Sequence, residues 1–252
     1  MRIDLNSDVG ESFGIYKLGL DEEVMKEITS ANIACGFHAG DYMVMEKTVD
    51  LAIANGVGIG VHPGYPDLQG FGRRKMDLGP HEIKNLVMYQ VGALKAFAEA
   101  KGAQINHVKA HGALYNTAGK DQELAEAIAK GVSAVAPGVI FLGLANSELV
   151  KAGKKYGLTV CEEVFADRNY NPDGSLMSRK NPEAILHDPE VAILRVVRMI
   201  KEGKIEASNG EDIDIQADSI CVHGDNPEAI EFVRQIRKAL KYENIQIHTM
   251  GS

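Results

Sequence analysis

Short apolar runs alternate with longer amphipathic stretches along this chain, and polar or glycine-rich breaks separate them. The runs cover residues 3–5, 31–35, 57–61, 108–110, 139–145, 158–164 and 220–222, with a weaker eighth at 245–247. Between them, apolar positions recur at helical spacing. Tyr42–Asn55 sets Met45, Val49, Ala52 and Ile53 on one face, and 82–101 does the same with Ile83, Leu86, Val87, Val91, Leu94 and Phe97. Further helices are expected at Gln122–Val135, 147–156, Pro189–Glu202 and Pro227–Tyr242. Gly56, Gly102 and Gly157 stand where helices should stop. Asp41, Asp121, Asp188 and Asn226 are expected N-caps, with Pro189 and Pro227 at the first helical position.

Repeated strand–helix units imply parallel strands joined by helical crossovers. No GxGxxG follows the first run, which weakens an open dinucleotide-binding sheet. Seven or eight units in 252 residues fit a closed (β/α) barrel, a TIM-type α/β fold of about seven parallel strands, with 1–252 as one domain. The longest irregular stretch, 166–187, is rich in Asp, Asn, Arg and Pro, and a loop of that length is expected to be functional.

Composition works mainly by exclusion. A net charge of −8 argues against a nucleic-acid binder, which needs a basic face to displace counterions. No apolar run approaches the ~20 residues of a membrane helix, and the N-terminus turns polar at Asp4, so a soluble cytoplasmic protein is expected. Cys35, Cys161 and Cys221 form no CxxC and read as small buried residues in a reducing compartment. Neither GxxxxGK[ST] nor GxSxG occurs, and the acidic run at 210–214 reads as solvated surface.

The histidines change the picture most. Of eight, His38, His62, His111 and His223 stand at the C-terminal ends of expected strands, the end that carries active sites in barrels. Asp8, Glu11, Asp41, Asn146, Asp167, Arg168 and Asp225 fall on the same loops. A lone histidine there is usually a turn residue; four with glycine neighbours point to a site. His81, His107, His187 and His248 are assigned to caps, edges or surface. Two chemistries suit the cluster: a divalent metal held by His and Asp, or metal-free acid–base catalysis with Lys or Arg holding an anion. The stretch 62–74, with three Gly, two Pro and Arg73-Arg74, follows a strand and offers a guanidinium clamp. Lys109 lies two residues before His111, so alternation turns both to one face. A lysine inside a barrel needs an anionic partner or substrate.

Six stretches then carry a resemblance. They are 4–11 (Asp4-Leu5-Asn6-Ser7-Asp8-Val9-Gly10-Glu11), 30–41, 62–74, 109–116, 163–168 and His223-Gly224-Asp225. They run in order over nearly the whole chain and are similar to the signatures of the LamB/YcsF family. The resemblance implies a (β/α) barrel related to glycoside hydrolase and polysaccharide deacetylase barrels. It also implies opening of 5-oxo-L-proline to L-glutamate with ATP as cosubstrate, alongside 5-oxoprolinase subunits B and C. Under that reading Asp8, His38, His62, Lys109 and His111 are the catalytic set. Asn6, Asp41, Arg73, Arg74, Asp167, Arg168, His223 and Asp225 contact substrate. By analogy with deacetylase barrels, Asp8, His62 and His111 would be metal ligands. Two alternatives remain: a metal-dependent hydrolase of acylated sugars acting alone, and a non-catalytic subunit binding a small carboxylate or carbohydrate.

Overall fold

The computed structural model describes residues 1–178 and 180–252. Among the described residues ten strands form: β1 (Arg2–Val9), β2 (Ser30–Ala34), β3 (Gly58–His62), β4 (Ile105–Val108), β5 (Ile140–Leu144), β6 (Thr159–Phe165), β7 (Lys204–Glu206), β8 (Asp212–Asp214), β9 (Ser219–Val222) and β10 (Gln246–Ile247). The helices are α1 (Asp21–Val24), α2 (Tyr42–Asn55), α3 (Pro80–Ala100), α4 (Gly112–Ala118), α5 (Gln122–Val135), α6 (Glu148–Lys155), α7 (Pro189–Glu202) and α8 (Pro227–Tyr242). Strands β1, β2, β3, β4, β5, β6 and β9 pair side by side in parallel, and β9 returns to β1. The result is the expected closed barrel of seven parallel strands. The weak eighth run, β10, pairs only with Arg2 and Ile3 of β1 and stays outside the ring.

Local chemistry sets the helix ends. Asp41 caps α2 by accepting from the amides of Met43 and Val44, and Gly56 closes it at φ +65°. Asp121, Asp188 and Asn226 cap α5, α7 and α8 as expected. The antiparallel pair β7–β8 was not expected. Ile205 is buried opposite Ile213 and Arg198 pairs with Asp212, while Glu211, Asp212 and Asp214 stay exposed, so the acidic run is solvated surface carried on a paired strand.

The first strand is longer than its apolar run because the barrel interior is polar. Ile3, Leu5 and Val9 are buried with the main hydrophobic core, while the alternate residues bond across the interior. Asp4 accepts from Ser30 and Ser219 on the two neighbouring strands. Asn6 donates to Ser219 at 2.7 Å, and Asn32 donates to both Asn6 and Asp8 at 2.8 Å. His107 corrects the surface assignment made from sequence. It is fully buried, with Nε2 2.7 Å from Asn32 Oδ1 on a strand two places away. That reach passes over Gly60, where a Cβ would come within 2.0 Å of His107 Nε2. Burial takes the His107 imidazole down to about 3, with the nearby Lys109 charge adding to the effect.

Candidate active site

The strand ends on the β1–β4 side converge on a cavity of about 910 Å³. Asp8, His62, Lys109 and His111 line it, together with Arg73, Arg168, His223 and Asp225. Asn6 lies beneath, fully buried and 3.1 Å from Lys109 Nζ. His38 stands behind His111, and Asp167 behind His223.

Backbone carbonyls fix two imidazole tautomers. His62 Nδ1 lies 2.8 Å from the Lys109 carbonyl and His111 Nε2 lies 2.8 Å from the Phe71 carbonyl. A carbonyl only accepts, so each of these nitrogens carries its hydrogen. The remaining nitrogens, His62 Nε2 and His111 Nδ1, face each other at 3.0 Å, with Asp8 Oδ2 3.2 Å from His62 Nε2. With both rings neutral, two lone pairs would meet there. The arrangement calls for a proton or a cation between Asp8, His62 and His111.

His38 extends the cluster. Its ring stacks on His111 at 3.6 Å and 5°, and neither of its nitrogens has a hydrogen-bond partner. Glu11 Oε1, also buried without a hydrogen bond, lies 3.4 Å from His38 Nε2 and 3.9 Å from His111 Nδ1. Donor atoms of Glu11, His38, His62 and His111 all lie within 4.8 Å of one another. Imidazole nitrogens with carboxylate oxygens suit a divalent first-row ion, and two orphaned atoms facing each other, Glu11 Oε1 and His38 Nε2, fit that use. Burial, then repulsion from Asp8 and Asp225, pushes the Glu11 carboxyl well up. Burial, then His111 and His62, holds His38 well below the usual imidazole range, and His111 falls to about 3 by burial and His62. Gly72, at φ +61°, covers this pair: a Cβ there would lie 2.7 Å from His38 Cβ and 2.8 Å from His111 Cδ2.

Lys109 is 3% exposed and ringed by acceptors. Its Nζ lies 2.8 Å from Glu163 Oε1, 3.2 Å from Asp8 Oδ1 and 3.3 Å from Cys221 Sγ. Burial alone would lower this ammonium, but Asp8, Cys221 and Glu163 outweigh it and hold the charge well above the usual lysine range. Burial likewise opposes ionisation of Asp8, and His62 and Lys109 overcome it, keeping the carboxylate charged. Tyr115 donates to Glu163 Oε2 at 2.6 Å and completes the network.

The third group is a dyad on the far wall. Asp167 Oδ2 lies 3.3 Å from His223 Nδ1. Burial would lower the imidazole, but the bond to Asp167 raises it, and His223 lowers Asp167 against burial. A histidine whose charged form is favoured by a neighbouring carboxylate suits proton donation into the cavity it lines.

Four expected substrate contacts do not line the cavity: Asn6 and Asp167 stand behind its lining, and Asp41 and Arg74 are engaged elsewhere. Asp41 is occupied at the α2 N-terminus and also accepts from Gly14. Arg74 turns outward, 64% exposed, onto Asp67, whose carboxyl it holds at about 2. Arg73, also exposed, lines the cavity instead, its guanidinium 5.0 Å over the Phe71 ring. Arg168 pins its loop through the carbonyls of Met177 at 2.6 Å and Ala184 at 3.2 Å. Sequence reasoning gave no role to Glu163 or Tyr115. The signal was present: a buried Lys109 needs a carboxylate partner, and alternation along β6 turns Glu163 inward with Cys161 and Phe165. Cys161 is half-buried, and Cys221 touches Lys109, so the cysteines are not all plain apolar filling.

No helix among the described residues is long and apolar enough to cross a membrane. The sequence model of the LamB/YcsF family matches residues 3–252. A protein from Alkaliphilus metalliredigens, named as the A component of 5-oxoprolinase, is 61% identical over 251 residues, covering 100% of this chain and 98% of its own. Its namesake from Pyrococcus horikoshii is 56% identical over 250 residues, with 99% and 98% covered. The crystal structure of a lactam utilization protein from Thermus thermophilus superimposes with a TM-score of 0.94 at 44% identity, covering 99% of this chain and 100% of that one. With a family match over almost its whole length, the chain belongs to the LamB/YcsF family.

Proposed function

We propose that this chain is the lactam-binding component of a multi-subunit, ATP-dependent 5-oxoprolinase. The observation that carries the reading is the buried Lys109 charge, held by Glu163 and Asp8 at the floor of a cavity that also holds a histidine–carboxylate cluster. The relatives' names, the A component of 5-oxoprolinase and a lactam utilization protein, support the substrate and the assembly. Partner subunits B and C complete the enzyme in this reading.

An unstrained lactam resists water, so the carbonyl must be activated. The lactam oxygen bonds to the terminal phosphorus of ATP while the bond from that phosphorus to ADP breaks, and ADP leaves with the electron pair. Water adds to the resulting imidate carbon and gives up a proton. The tetrahedral carbon expels the ring nitrogen, which takes a proton, and leaves an acyl phosphate. A second water releases phosphate and L-glutamate.

Each group has a task in this sequence. Arg73 clamps the substrate carboxylate, because Arg74 is committed to Asp67. Lys109 stabilises charge developing on the lactam oxygen. Asp8, His62 and His111, with Glu11 and His38, take the proton of the attacking water or hold a divalent cation. When bound, such a cation supplies Lewis-acid polarisation. His223, held by Asp167, protonates the departing ring nitrogen. Arg168 and Asp225 border the substrate.

The histidine–carboxylate set also favours a second reading, a cation-assisted amide hydrolase that needs no ATP. Lys109→Ala and His62→Ala, assayed for glutamate release with all subunits present, test the role assignment. Losses of at least about 10²-fold are expected in each. Near-normal turnover in both would sink it.

A further inference from the structure

The lactam uses only the inner end of the cavity. At about 910 Å³ the space matches a ligand far larger than a five-membered ring. The outer end extends over β5 and β6, and none of the roles above draws on it. Three separate segments supply its basic side chains: Lys120 after α4, Lys151 on α6 and Lys180 on the loop after β6. Lys120 meets Asp173 at 3.8 Å and Lys151 meets Glu148 at 2.6 Å, both as exposed lysine pairs that a stronger anion can replace. No ion pair involves Lys180 among the described residues.

The start of α6 opens on the same space. Asn146, at φ +64°, turns the chain into the helix. Ser147 occupies the N-cap position in extended conformation, yet its side chain caps nothing. It lines the cavity at 6% exposure, and its Oγ is buried with no hydrogen-bond partner. Every longer helix of the barrel wall that begins with Asp or Asn has that side chain bonded to its own first-turn amides. The Glu148 amide donates to the Gly119 carbonyl, so the donors left at this helix start are the Ser147 hydroxyl and the amides that follow Glu148, a set suited to phosphate oxygens.

We propose that the outer end of the cavity is the subsite for the phosphate chain of a nucleoside triphosphate, bound by the α6 N-terminus and Ser147 and enclosed by Lys120, Lys151 and Lys180. The inference rests on the ATP-dependent reading above and locates the nucleotide within it. The chain of phosphates then runs along the cavity, its terminal phosphorus toward Lys109 and Arg73 and the lactam oxygen. The absence of a GxxxxGK[ST] loop follows, because the helix start after β5 takes that loop's place.

The test uses the complete enzyme with its partner subunits. A Lys120→Ala/Lys151→Ala double variant and Ser147→Ala are compared with the unaltered protein for glutamate release. The expected result is a KM for MgATP raised at least tenfold in the double variant, with the KM for 5-oxoproline within twofold. An unchanged KM for MgATP, or equal rises in both KM values, overturns the subsite. Should the unaltered assembly release no glutamate from 5-oxoproline and ATP, the functional reading has failed, and the subsite is judged alone. Calorimetric titration of the full chain with inorganic tripolyphosphate then decides it. Binding that the double variant loses supports the subsite; no binding, or binding that the variant keeps, overturns it.

Discussion

The two sides of the cavity are built on different plans. On the β1–β4 side the polar groups sit on or just past the strands, buried, and each is fixed by a neighbour: His62 by the Lys109 carbonyl, His111 by that of Phe71, Lys109 by Glu163 and Asp8. Past β5 and β6 the plan differs: Ile140 and Leu142 of β5 are apolar, Glu163 of β6 serves the first side by holding Lys109, and the remaining polar groups are the exposed Lys120, Lys151 and Lys180 with the buried Ser147 at the start of α6. Rigid strands hold geometry within the tolerance that bond-making needs, whereas loops need only present charge. Under the proposed function the first side, with the His223–Asp167 dyad, carries the chemistry, and the second captures the larger ligand.

The most damaging change should be to the buried network. Glu163→Leu strips Lys109 of its nearest carboxylate and the buried Tyr115 hydroxyl of its acceptor, and is expected to cost about 3–5 kcal/mol in denaturant unfolding. Adding Lys109→Met should cost less than the sum of the two single changes, and strict additivity would mean the pair does not act as a unit. The cation question comes next. Titrating zinc or manganese into chelator-treated protein should raise its unfolding temperature, by an amount equivalent to about 2.7 kcal/mol at a hundredfold excess over Kd. His62→Gln should abolish the rise, and an equal rise in the variant would move the cation elsewhere.

Packing inside the strands gives a middle-sized effect. Gly60→Ala drives a methyl into the His107 ring and should destabilise by about 1–3 kcal/mol, measured by the same unfolding experiment. The dyad yields a pH signature. His223 is raised by Asp167, so its share of stability is full below the ordinary imidazole range and lost as pH rises through the folded value. Asp167 is lowered, so its share is present above the ordinary carboxylate range and lost as pH falls through its folded value. The pair therefore contributes most in the window between the two. Asp167→Asn should move the alkaline limb of glutamate release to lower pH, and an unmoved limb would remove His223 from the proton-donor role. The smallest effect marks the other side of the cavity: Lys120→Ala should change stability by less than about 0.5 kcal/mol.

The same contrast explains how far the sequence could be read. Seven apolar runs and their caps carry the barrel, because burying both strand faces leaves a plain pattern at 31–35 or 57–61. The pattern fails where the interior turns polar. Asn6 and Asp8 look like the end of a strand, yet they continue β1 because Asn32, Ser219 and Lys109 satisfy them. His107 was hidden for the same reason, since only Gly60 on the next strand makes room for its ring. Position at a strand end was enough to find His38, His62, His111 and His223. It could not tell Arg73 from Arg74, because Asp67 decides between them through a turn that brings it onto Arg74. Glu163 went unassigned because it stands on β6, two strands from β4, and the strand order around the ring decides which carboxylate reaches Lys109.

The central claim, lactam opening driven by ATP, is tested most directly by one assay. Purified chain is incubated with 5-oxoproline and ATP, with and without subunits B and C, and glutamate and phosphate are both measured. The account predicts glutamate and phosphate in equal amounts, only with ATP and only with the partners present. Glutamate formed without ATP, or none with every subunit present, would contradict it.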